Sequence, residues 1–424
     1  MKKFLTVALI FVLALGSVFA NGEKEAAPAA NADGKYAGVE LNMWSMWTSE
    51  YEPQGKVLKA AAEAFEAETG CKVNIEWKGR DLRQIIVTAL ESGEKVDLFE
   101  EDYTRIGQSY KDYVLDVEPL LDARNYDAQS FECFKEESRK FGGFVSSIAE
   151  QPQVGGIFYN KDIFADSGIT TLPETWDEFL VACQKMVDHG YEPMALDSAY
   201  VDFFYGYHMD RRVGEAVTTD LVFNGGWADN AGAVAAAQDM IDFRKAGFLA
   251  AGAPDEYPSS QNKIGLTGKV AMVVCANYVA SEVNNNTGVE INWGLLNYPT
   301  IPVDKGGSGS TNAFAGANSI AVVKTTKNAD AAVDFAMFLT SGKYDQMMAD
   351  EASQIPADPR NVAPAIMDGT IETLLATEAP LKWGMGLGDN SAVATSLKNL
   401  ITQLYEGKFA TGLEFCQAVD KLYK

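Results

Sequence analysis

The sequence predicts an α/β protein in which mainly parallel sheets are flanked by helices. Residues 39–43 and 71–77 alternate apolar and polar side chains as half-buried strands do, and residues 96–99 form a short apolar run. Helical spacing of apolar residues fills the intervals between these segments. Because strands that alternate with helices form parallel sheets covered on both faces, this order indicates the α/β class.

The first segment, residues 1–20, predicts a secretory signal peptide. Two lysines precede an apolar run, Phe4 to Leu15, and small residues lead to Ala20, where we expect cleavage. The run is shorter than the ~20 residues of a membrane-spanning helix, and an uncleaved anchor stays open as an alternative. The first cysteine is Cys71, so none stands at the cleavage point to carry a lipid. Residues 21–36, rich in Ala, Gly, Glu and Pro, predict a flexible spacer.

Two short segments after predicted strands carry candidate polar and aromatic groups. Trp44, Trp47 and Thr48 follow the first strand, ahead of a helix whose apolar face ends near Gly70. An acidic segment, residues 100–103, follows the third strand. A run of charges is usually a solvated face, but loops after the strands of an open α/β sheet are also where ligands bind.

Capping boxes begin two helices in the second half of the chain. Thr175 and Glu178 stand three residues apart before an apolar helical pattern, and Thr411 and Glu414 repeat this spacing. In each pair the two side chains can satisfy each other's backbone N–H groups. Strands are also predicted at 268–275 and 320–323, and helices at 331–339 and 393–404.

The charge and the composition exclude several classes of function. The formal net charge is −24, which repels nucleic acid and anionic membranes. No later segment is apolar enough to span a bilayer, so we expect no membrane insertion after cleavage. The five cysteines are far apart and form no CxxC pair, and the chain has only two histidines. We therefore expect buried free thiols, no metal site and no cofactor.

Four stretches resemble the extracellular solute-binding proteins of ABC sugar importers, the maltose-binding-like group. The family pattern appears in order and in register over nearly all of the chain after residue 36. The matching stretches are Leu41–Trp44 with Phe65–Val73, Tyr159–Phe164 with Thr175–Phe179, Gly268–Met272 with Asn277 and Tyr278, and Ile320–Leu339.

The resemblance implies a two-lobed periplasmic-binding-protein fold with the ligand cleft between the lobes. It implies residues 37–148 plus 312–342 as the first lobe and 149–311 plus 343–424 as the second. A glycine-rich stretch, residues 306–310, falls in the second crossover, where it is either part of a hinge or a flexible surface loop. The implied function is capture of a sugar outside the cytoplasmic membrane, as a non-enzymatic monomer, for delivery to the importer's permease subunits.

A sugar site needs flat aromatics for the ring faces and fixed carboxylates or amides for the hydroxyls. Some candidates follow predicted strands or lie in aromatic-rich loops, and others match the family's crossover and site positions. Each has a packing or solvated-surface role as its alternative. The candidates are Trp44, Trp47, Thr48, Glu101, Asp102, Glu150, Gln151, Asp202, Phe203, Asn277, Tyr278, Phe314, Trp383 and Asp389.

Two other functions fit the same residue types. A secreted glycoside hydrolase also pairs aromatics with carboxylates, and Glu101, Asp102 and Glu150 supply candidate acids. A binder of a non-sugar solute such as a polyamine would use carboxylates boxed by aromatics, which residues 100–103 permit. A serine hydrolase is disfavoured, since the chain has no GxSxG elbow.

Overall fold

The computed structural model describes residues 34–424. The predicted signal peptide lies outside the described residues, as does most of the predicted spacer. The last residues of the predicted spacer are held by contacts with the folded chain. The ammonium of Lys35 pairs with Asp334 at 2.7 Å, and the backbone N–H of Tyr36 bonds to the carbonyl of Thr69 at 2.8 Å. The folded body therefore begins before residue 37.

The described residues form eight named strands and seventeen α-helices, with short 3₁₀ turns between them. The strands are β1 (Glu40–Ser45), β2 (Lys72–Trp77), β3 (Leu98–Asp102), β4 (Ile148–Asn160), β5 (Glu192–Ala195), β6 (Val270–Ala276), β7 (Trp293–Leu296) and β8 (Ala315–Val322). The helices are α1 (Pro53–Thr69), α2 (Leu82–Ser92), α3 (Tyr103–Ser109), α4 (Glu118–Asp122), α5 (Glu132–Gly142), α6 (Lys161–Asp166), α7 (Trp176–Asp188), α8 (Val201–Val213), α9 (Glu215–Asn224), α10 (Ala231–Lys245), α11 (Ser259–Thr267), α12 (Tyr278–Thr287), α13 (Ala329–Leu339), α14 (Gly342–Ala352), α15 (Thr370–Leu375), α16 (Ala394–Tyr405) and α17 (Gly412–Val419).

One long strand, β4, joins two sheets. Its first half pairs with β8, in the order β2-β1-β3-β8-β4, and its second half pairs with β6 and β7, with β5 beyond β6. The change of partner falls between Val154, which faces Ala315 on β8, and Gly155, which faces Ala276 on β6. The α/β fold class and its two lobes are confirmed, with one lobe around each sheet.

The sheets are mixed rather than mainly parallel. β1 runs parallel to β2 and to β3, and β5 runs parallel to β6, as predicted. β8 is antiparallel to β3 and β4, and β4 is antiparallel to β6 and β7. The chain leaves the first sheet along β4 and returns along β8, so these two strands run in opposite directions.

The predicted capping box of α7 is confirmed, and only the first half of the one predicted for α17 is present. The Thr175 hydroxyl accepts from the N–H of Glu178, whose carboxylate accepts from Thr175 in return. At α17 the Thr411 hydroxyl accepts from Glu414, but the Glu414 carboxylate accepts from Ala410 instead. α1 ends at Gly70, whose φ of 75° is the left-handed conformation that glycine adopts without strain.

The predicted lobe boundary after residue 342 is wrong. α14 packs against α1 and α13, and its Tyr344 and Met348 are buried in the core of the first lobe. The chain therefore returns to the second lobe after α14. Ser353, directly after this helix, has a φ of 52°, a turn conformation that is uncommon for a residue other than glycine.

The glycine-rich stretch 306–310 is tied to α8. The backbone N–H of Ser308 bonds to the carbonyl of Arg211 at 2.9 Å, and the Ser308 hydroxyl bonds to the carbonyl of Asp210 at 2.7 Å. Gly309 donates to the carbonyl of Ile301 at 3.1 Å. These bonds argue against both predicted roles, because a hinge or a flexible loop needs a backbone that is free to rotate. The point at which β4 changes its strand partner, residues 154–155, is the better candidate for the hinge between the lobes.

All five cysteines are buried and free, as predicted. Burial raises the pKa of the Cys71 thiol to about 11 and that of Cys275 to about 12, which keeps both uncharged. Within residues 34–424 no group of three or more metal-binding side chains could hold an ion. No helix in the same residues has the length and apolar composition needed to cross a membrane.

Candidate ligand-binding site between the lobes

A cavity of about 600 Å³ lies where the two lobes meet the crossover strands. The first lobe contributes α3 and α5, the crossovers contribute β4 and residues 314–316, and the second lobe contributes α9 and the loop 380–389. The lining residues are Asp102, Tyr103, Thr104, Gln108, Glu137, Phe141, Gln153, Phe223, Phe314, Ala315, Gly316, Pro380, Leu381, Lys382, Trp383 and Asp389.

Asp102 ends β3 and begins α3, so the strand end delivers its carboxylate to the cavity. The carboxylate caps α3 by accepting from the backbone N–H of Arg105 at 3.1 Å. Burial raises the pKa of Asp102, while this backbone bond opposes the rise. A capped and half-buried carboxylate is fixed in position, so it can accept from a ligand hydroxyl without losing further side-chain freedom.

Trp383 forms the main aromatic surface of the second lobe. Its side chain packs on Phe203 at a centroid distance of 4.3 Å, on Phe314 at 5.6 Å and on Tyr200 at 6.1 Å. These three contacts hold the ring while 37% of the residue stays exposed. An aromatic ring that is braced and left open is a surface on which the apolar face of a sugar ring can stack.

The backbone of the loop that carries Trp383 is in an uncommon conformation. Gly384 and Met385 both have positive φ values, 53° and 52°. A Cβ on Gly206, in α8, would stand 2.3 Å from the carbonyl oxygen of Gly384, so only glycine lets the loop lie this close to the helix. Strained residues persist only where their surroundings hold them, and they cluster at binding sites.

The floor of the cavity is built on the crossover itself. A Cβ on Gly155 would stand 2.6 Å from the ring of Phe203 and 3.0 Å from that of Phe314. The Tyr207 hydroxyl donates to the carbonyl of Gly155 and accepts from the N–H of Phe314, both at 2.7 Å. Phe314 is thereby fixed at the point where β4 changes partner.

The charges around the cavity are mainly negative. Asp389 pairs with Lys382 at 2.7 Å, and Glu137 pairs with Lys140 at 3.2 Å. Burial raises the pKa of Glu137. Lys140 also lies 3.8 Å from Glu215 of α9, so it reaches from one lobe to the other.

The structure brings four of the predicted site residues together at this cavity: Asp102, Phe314, Trp383 and Asp389. Phe203 is fully buried behind two of them. Tyr278 is 41% exposed at the start of α12 and does not line the cavity. Asp202 pairs with Lys398 at 2.8 Å and lines a separate pocket of about 160 Å³. Asp202 and Phe203, which the sequence placed in an aromatic-rich loop, belong instead to α8, so that prediction is wrong.

The predicted candidates Trp44, Trp47 and Thr48 do not line the cavity. Trp44 belongs to β1 and is 1% exposed, with the Lys78 ammonium 4.0 Å from its ring centroid. The Arg80 guanidinium lies 5.6 Å from the ring of Trp47. Thr48 is exposed and donates to Glu52. The structure therefore gives Trp44 a core role rather than a ligand contact.

The remaining candidates hold the crossover together. β3 ends three residues later than predicted, at Asp102, so Glu101 lies inside the strand, 2% exposed and 3.5 Å from Arg105. Gln151 is buried and accepts from Asn318 at 3.2 Å. Asn277 is buried and accepts from the N–H of Val154 at 3.1 Å. These side chains serve the fold, because their polar atoms are used within it.

Several residues at or next to the cavity were not among the predicted site residues. Gln153 lies on β4 two residues beyond the predicted pair, and a strand exposes alternate residues to one face, which could have found it. Glu137 and Phe141 lie one turn apart on α5, where nothing local marks them. Tyr200 does not line the cavity but supports Trp383 from behind, and it touches this ring only because the chain folds back.

Two carboxyl groups, Glu100 and Glu150, meet in the interior beside the crossover. Both residues are at most 2% exposed. One oxygen of Glu100 accepts from the Ser45 hydroxyl at 2.6 Å and from the N–H of Met46 at 2.9 Å. The other oxygen of Glu100 and one oxygen of Glu150 are buried and have no hydrogen-bond partner. Burial, followed by the charge of Glu100, raises the pKa of Glu150. Because two neighbouring buried carboxyl groups do not both ionise, we infer that they share one proton.

If Glu100 and Glu150 share a proton, the free energy of unfolding should fall as the pH rises. A carboxyl group whose folded pKa is raised contributes stability that is complete below its unfolded pKa, about 4.3, and is lost as the pH rises through the folded value. Glu150→Gln keeps a neutral donor for Glu100, so we expect its free energy of unfolding to change less between pH 5 and pH 9 than that of the wild type. Urea unfolding across this range measures both, with the exposed Glu63→Gln as the matched control. Equal pH dependence in wild type and Glu150→Gln would contradict the shared proton.

The chain is similar in sequence to known proteins. The sequence pattern of the family described as bacterial extracellular solute-binding protein matches residues 49–346. The diacetylchitobiose binding protein DasA of Streptomyces coelicolor is 29% identical over 340 residues, which cover 77% of this chain and 75% of that one. The galactooligosaccharide-binding protein of Bacillus subtilis is 25% identical over 378 residues, with 84% and 81% covered.

Solved structures show the same fold. A cyclo/maltodextrin-binding protein complexed with maltotetraose matches with a TM-score of 0.65 at 17% sequence identity. The match covers 91% of this chain and 96% of that one. At this identity the likeness concerns the architecture of two lobes around a cleft.

Proposed function

Because this chain belongs to the bacterial extracellular solute-binding protein family, we propose that it binds a sugar in the cavity between its lobes and delivers it to an ABC-type importer. Membership identifies the chain as a solute-binding protein and not an enzyme, so the glycoside hydrolase alternative is wrong. The relatives named for diacetylchitobiose and galactooligosaccharide support a sugar as the solute.

The observation that carries the proposal is the pairing of Trp383 with Asp102 across the cavity. The exposed ring belongs to the second lobe and the capped carboxylate to the first. A pyranose between them would stack its C–H face on the indole and donate a hydroxyl to the carboxylate. Since each lobe supplies one part of the site, the ligand stabilises the closed arrangement by its stronger binding to that state.

The proposal also covers the lobe boundaries, the location of the protein, its oligomeric state and the form that the importer recognises. The first lobe comprises residues 35–148 and 312–352, and the second comprises 149–311 and 353–424. The protein acts outside the cytoplasmic membrane as a monomer after removal of residues 1–20. The closed form is the one that the permease subunits of the importer recognise.

A thermal-shift screen tests the proposal. The purified chain is heated with mono- and oligosaccharides of the chito-, galacto-, xylo- and malto- series, and with spermidine. A ligand present at about 100 times its Kd stabilises the folded state by about 2.7 kcal/mol, so we expect a clear rise in melting temperature with one sugar series. A rise with spermidine and none with any sugar would replace the sugar by a polyamine. No rise with any compound would contradict the proposal.

A further inference from the structure

Helix α9 forms one wall of the cavity on the second lobe. Its Phe223 lines the cavity and is 50% exposed. At the other end of the helix, Glu215 lies 3.8 Å from Lys140 of the first lobe. α9 also packs against residues 383–386, the turn that carries Trp383. The place of α9 therefore affects the shape of the cavity and the surroundings of Trp383.

The end of α9 needs hydrogen-bond partners from outside the helix. The last four carbonyl groups of an α-helix have no N–H partner within it. Gly225 and Gly226 follow α9 with φ values of 75° and 85°, so the chain turns away and cannot continue the helix. The carbonyl of Val222 and the N–H groups after the turn must therefore be satisfied by other parts of the chain.

A short segment after α17, Asp420–Tyr423, supplies these partners, and we call it the anchor segment. The Asp420 carboxylate accepts from the three consecutive backbone N–H groups of residues 226–228, at 2.8 to 2.9 Å. The Tyr423 hydroxyl donates to the carbonyl of Val222 at 2.8 Å. Both sides of the turn that ends α9 are thus bonded to the anchor segment.

The anchor segment lies directly against the end of the helix. A Cβ on Gly225 would stand 3.0 Å from the ring of Tyr423. Trp227 is fully buried beside it, and its indole N–H donates to the carbonyl of Leu221 at 2.9 Å. Neither Asp420 nor Tyr423 lines the cavity. The wall is therefore held from behind, by residues that a solute in the cavity would not touch.

We propose that Asp420 and Tyr423 are positioning residues, which hold α9 in place behind Phe223 and so set the affinity of the cavity for its solute. This inference rests on the proposed function. Half of Phe223 is exposed, so its place in the cavity depends mainly on the backbone that carries it. A wall that is held in place before binding does not have to be ordered when the solute arrives, which lowers the free-energy cost of binding.

Hydrogen exchange of the sugar-free protein tests whether the anchor segment holds α9. Asp420→Ala removes the acceptor of three N–H groups, so we expect the amides of α9 to exchange faster than in the wild type. Tyr423→Phe should have a smaller effect in the same direction. Its matched control is Tyr191→Phe, which removes another hydroxyl of the second lobe that donates at 2.8 Å, to Asp166. Unchanged exchange of α9 in both anchor variants would overturn the inference.

Calorimetry tests whether the place of α9 sets the affinity. The probes are the mono- to tetrasaccharides of the chito-, galacto-, xylo- and malto- series, and the compound that the wild type binds most tightly is used for all variants. We expect Asp420→Ala to raise its Kd by roughly threefold to tenfold. Tyr423→Phe should raise it by less, because Asn390 still donates to the carbonyl of Val222 at 3.1 Å. Tyr191→Phe should leave the Kd unchanged. An unchanged Kd in both anchor variants would overturn the inference and leave sugar binding intact.

A double-mutant cycle with Phe223→Ala separates positioning from a general loss of stability. If Asp420 acts through the wall at Phe223, Asp420→Ala should change the Kd by less than about twofold in the Phe223→Ala background. An equal rise of the Kd in both backgrounds would overturn the inference. Melting temperatures verify folding, and Tyr423→Phe carries the same cycle if Asp420→Ala does not fold. A wild type that binds none of these sugars would overturn the proposed function and the effect on affinity, and the exchange experiment would still show whether the anchor segment holds α9.

Discussion

Trp383→Ala should weaken sugar binding by roughly thirtyfold or more, the loss typical of a central aromatic anchor. Phe203, Phe314 and Tyr200 brace the ring from three sides, and its remaining surface faces the cavity. Truncation to alanine removes the stacking surface and leaves a gap beside Phe203.

Calorimetry with the tightest sugar of the thermal-shift screen measures this loss. Trp383→Phe is the graded comparison, since it keeps a smaller ring at the same position and should lose less. A melting temperature close to that of the wild type shows that the fold is retained. Binding of Trp383→Ala within threefold of the wild type would mean that the sugar does not stack on this ring.

Arg211→Ala should lower the free energy of unfolding by about 3–5 kcal/mol, the cost of breaking a buried ion pair. Arg211 is fully buried in α8 and pairs with Asp210 at 2.7 Å. Its guanidinium also donates to the carbonyl oxygens of Tyr298 and Asn312 at 3.1 and 2.8 Å. The side chain thus ties α8 to the chain segment that leads from β7 into β8.

The loss has two physical sources. Asp210 is 1% exposed, so it would keep a buried charge without its partner, and the two carbonyl groups would lose their donors. Arg211→Lys keeps the charge but not the planar fork, and should recover only part of the stability. Urea unfolding measures all variants, with the exposed Arg244→Ala as the matched control. A loss below 1 kcal/mol for Arg211→Ala would show that Arg211 does not hold this segment in place.

The pattern of the sequence predicts the fold class well because helices and strands bury one face each. The stop of α1 at Gly70 and the caps at Thr175 and Thr411 depend on groups within a few residues of each other. Local chemistry of this kind is readable without the tertiary structure. The antiparallel course of β8 is not, because it depends on where the chain returns after the second lobe.

The candidate site was only partly predictable. Asp102 and Trp383 stand at the end of a strand and in a glycine-rich loop, two positions where ligand groups collect in α/β proteins. Trp44 also follows from that rule, yet the structure buries it under Lys78. Residue type and position along a strand do not show which face of a sheet the cavity will occupy.

By itself, the sequence determined that this chain has the family's two-lobed α/β fold and that aromatic and acidic side chains are available for a sugar. The tertiary structure decided which of them meet. Asp102, Phe314 and Trp383 come from three distant parts of the chain, and they share one cavity because β4 changes its partner at Gly155. A contact between residues far apart in sequence leaves no local pattern, so only the folded arrangement shows it.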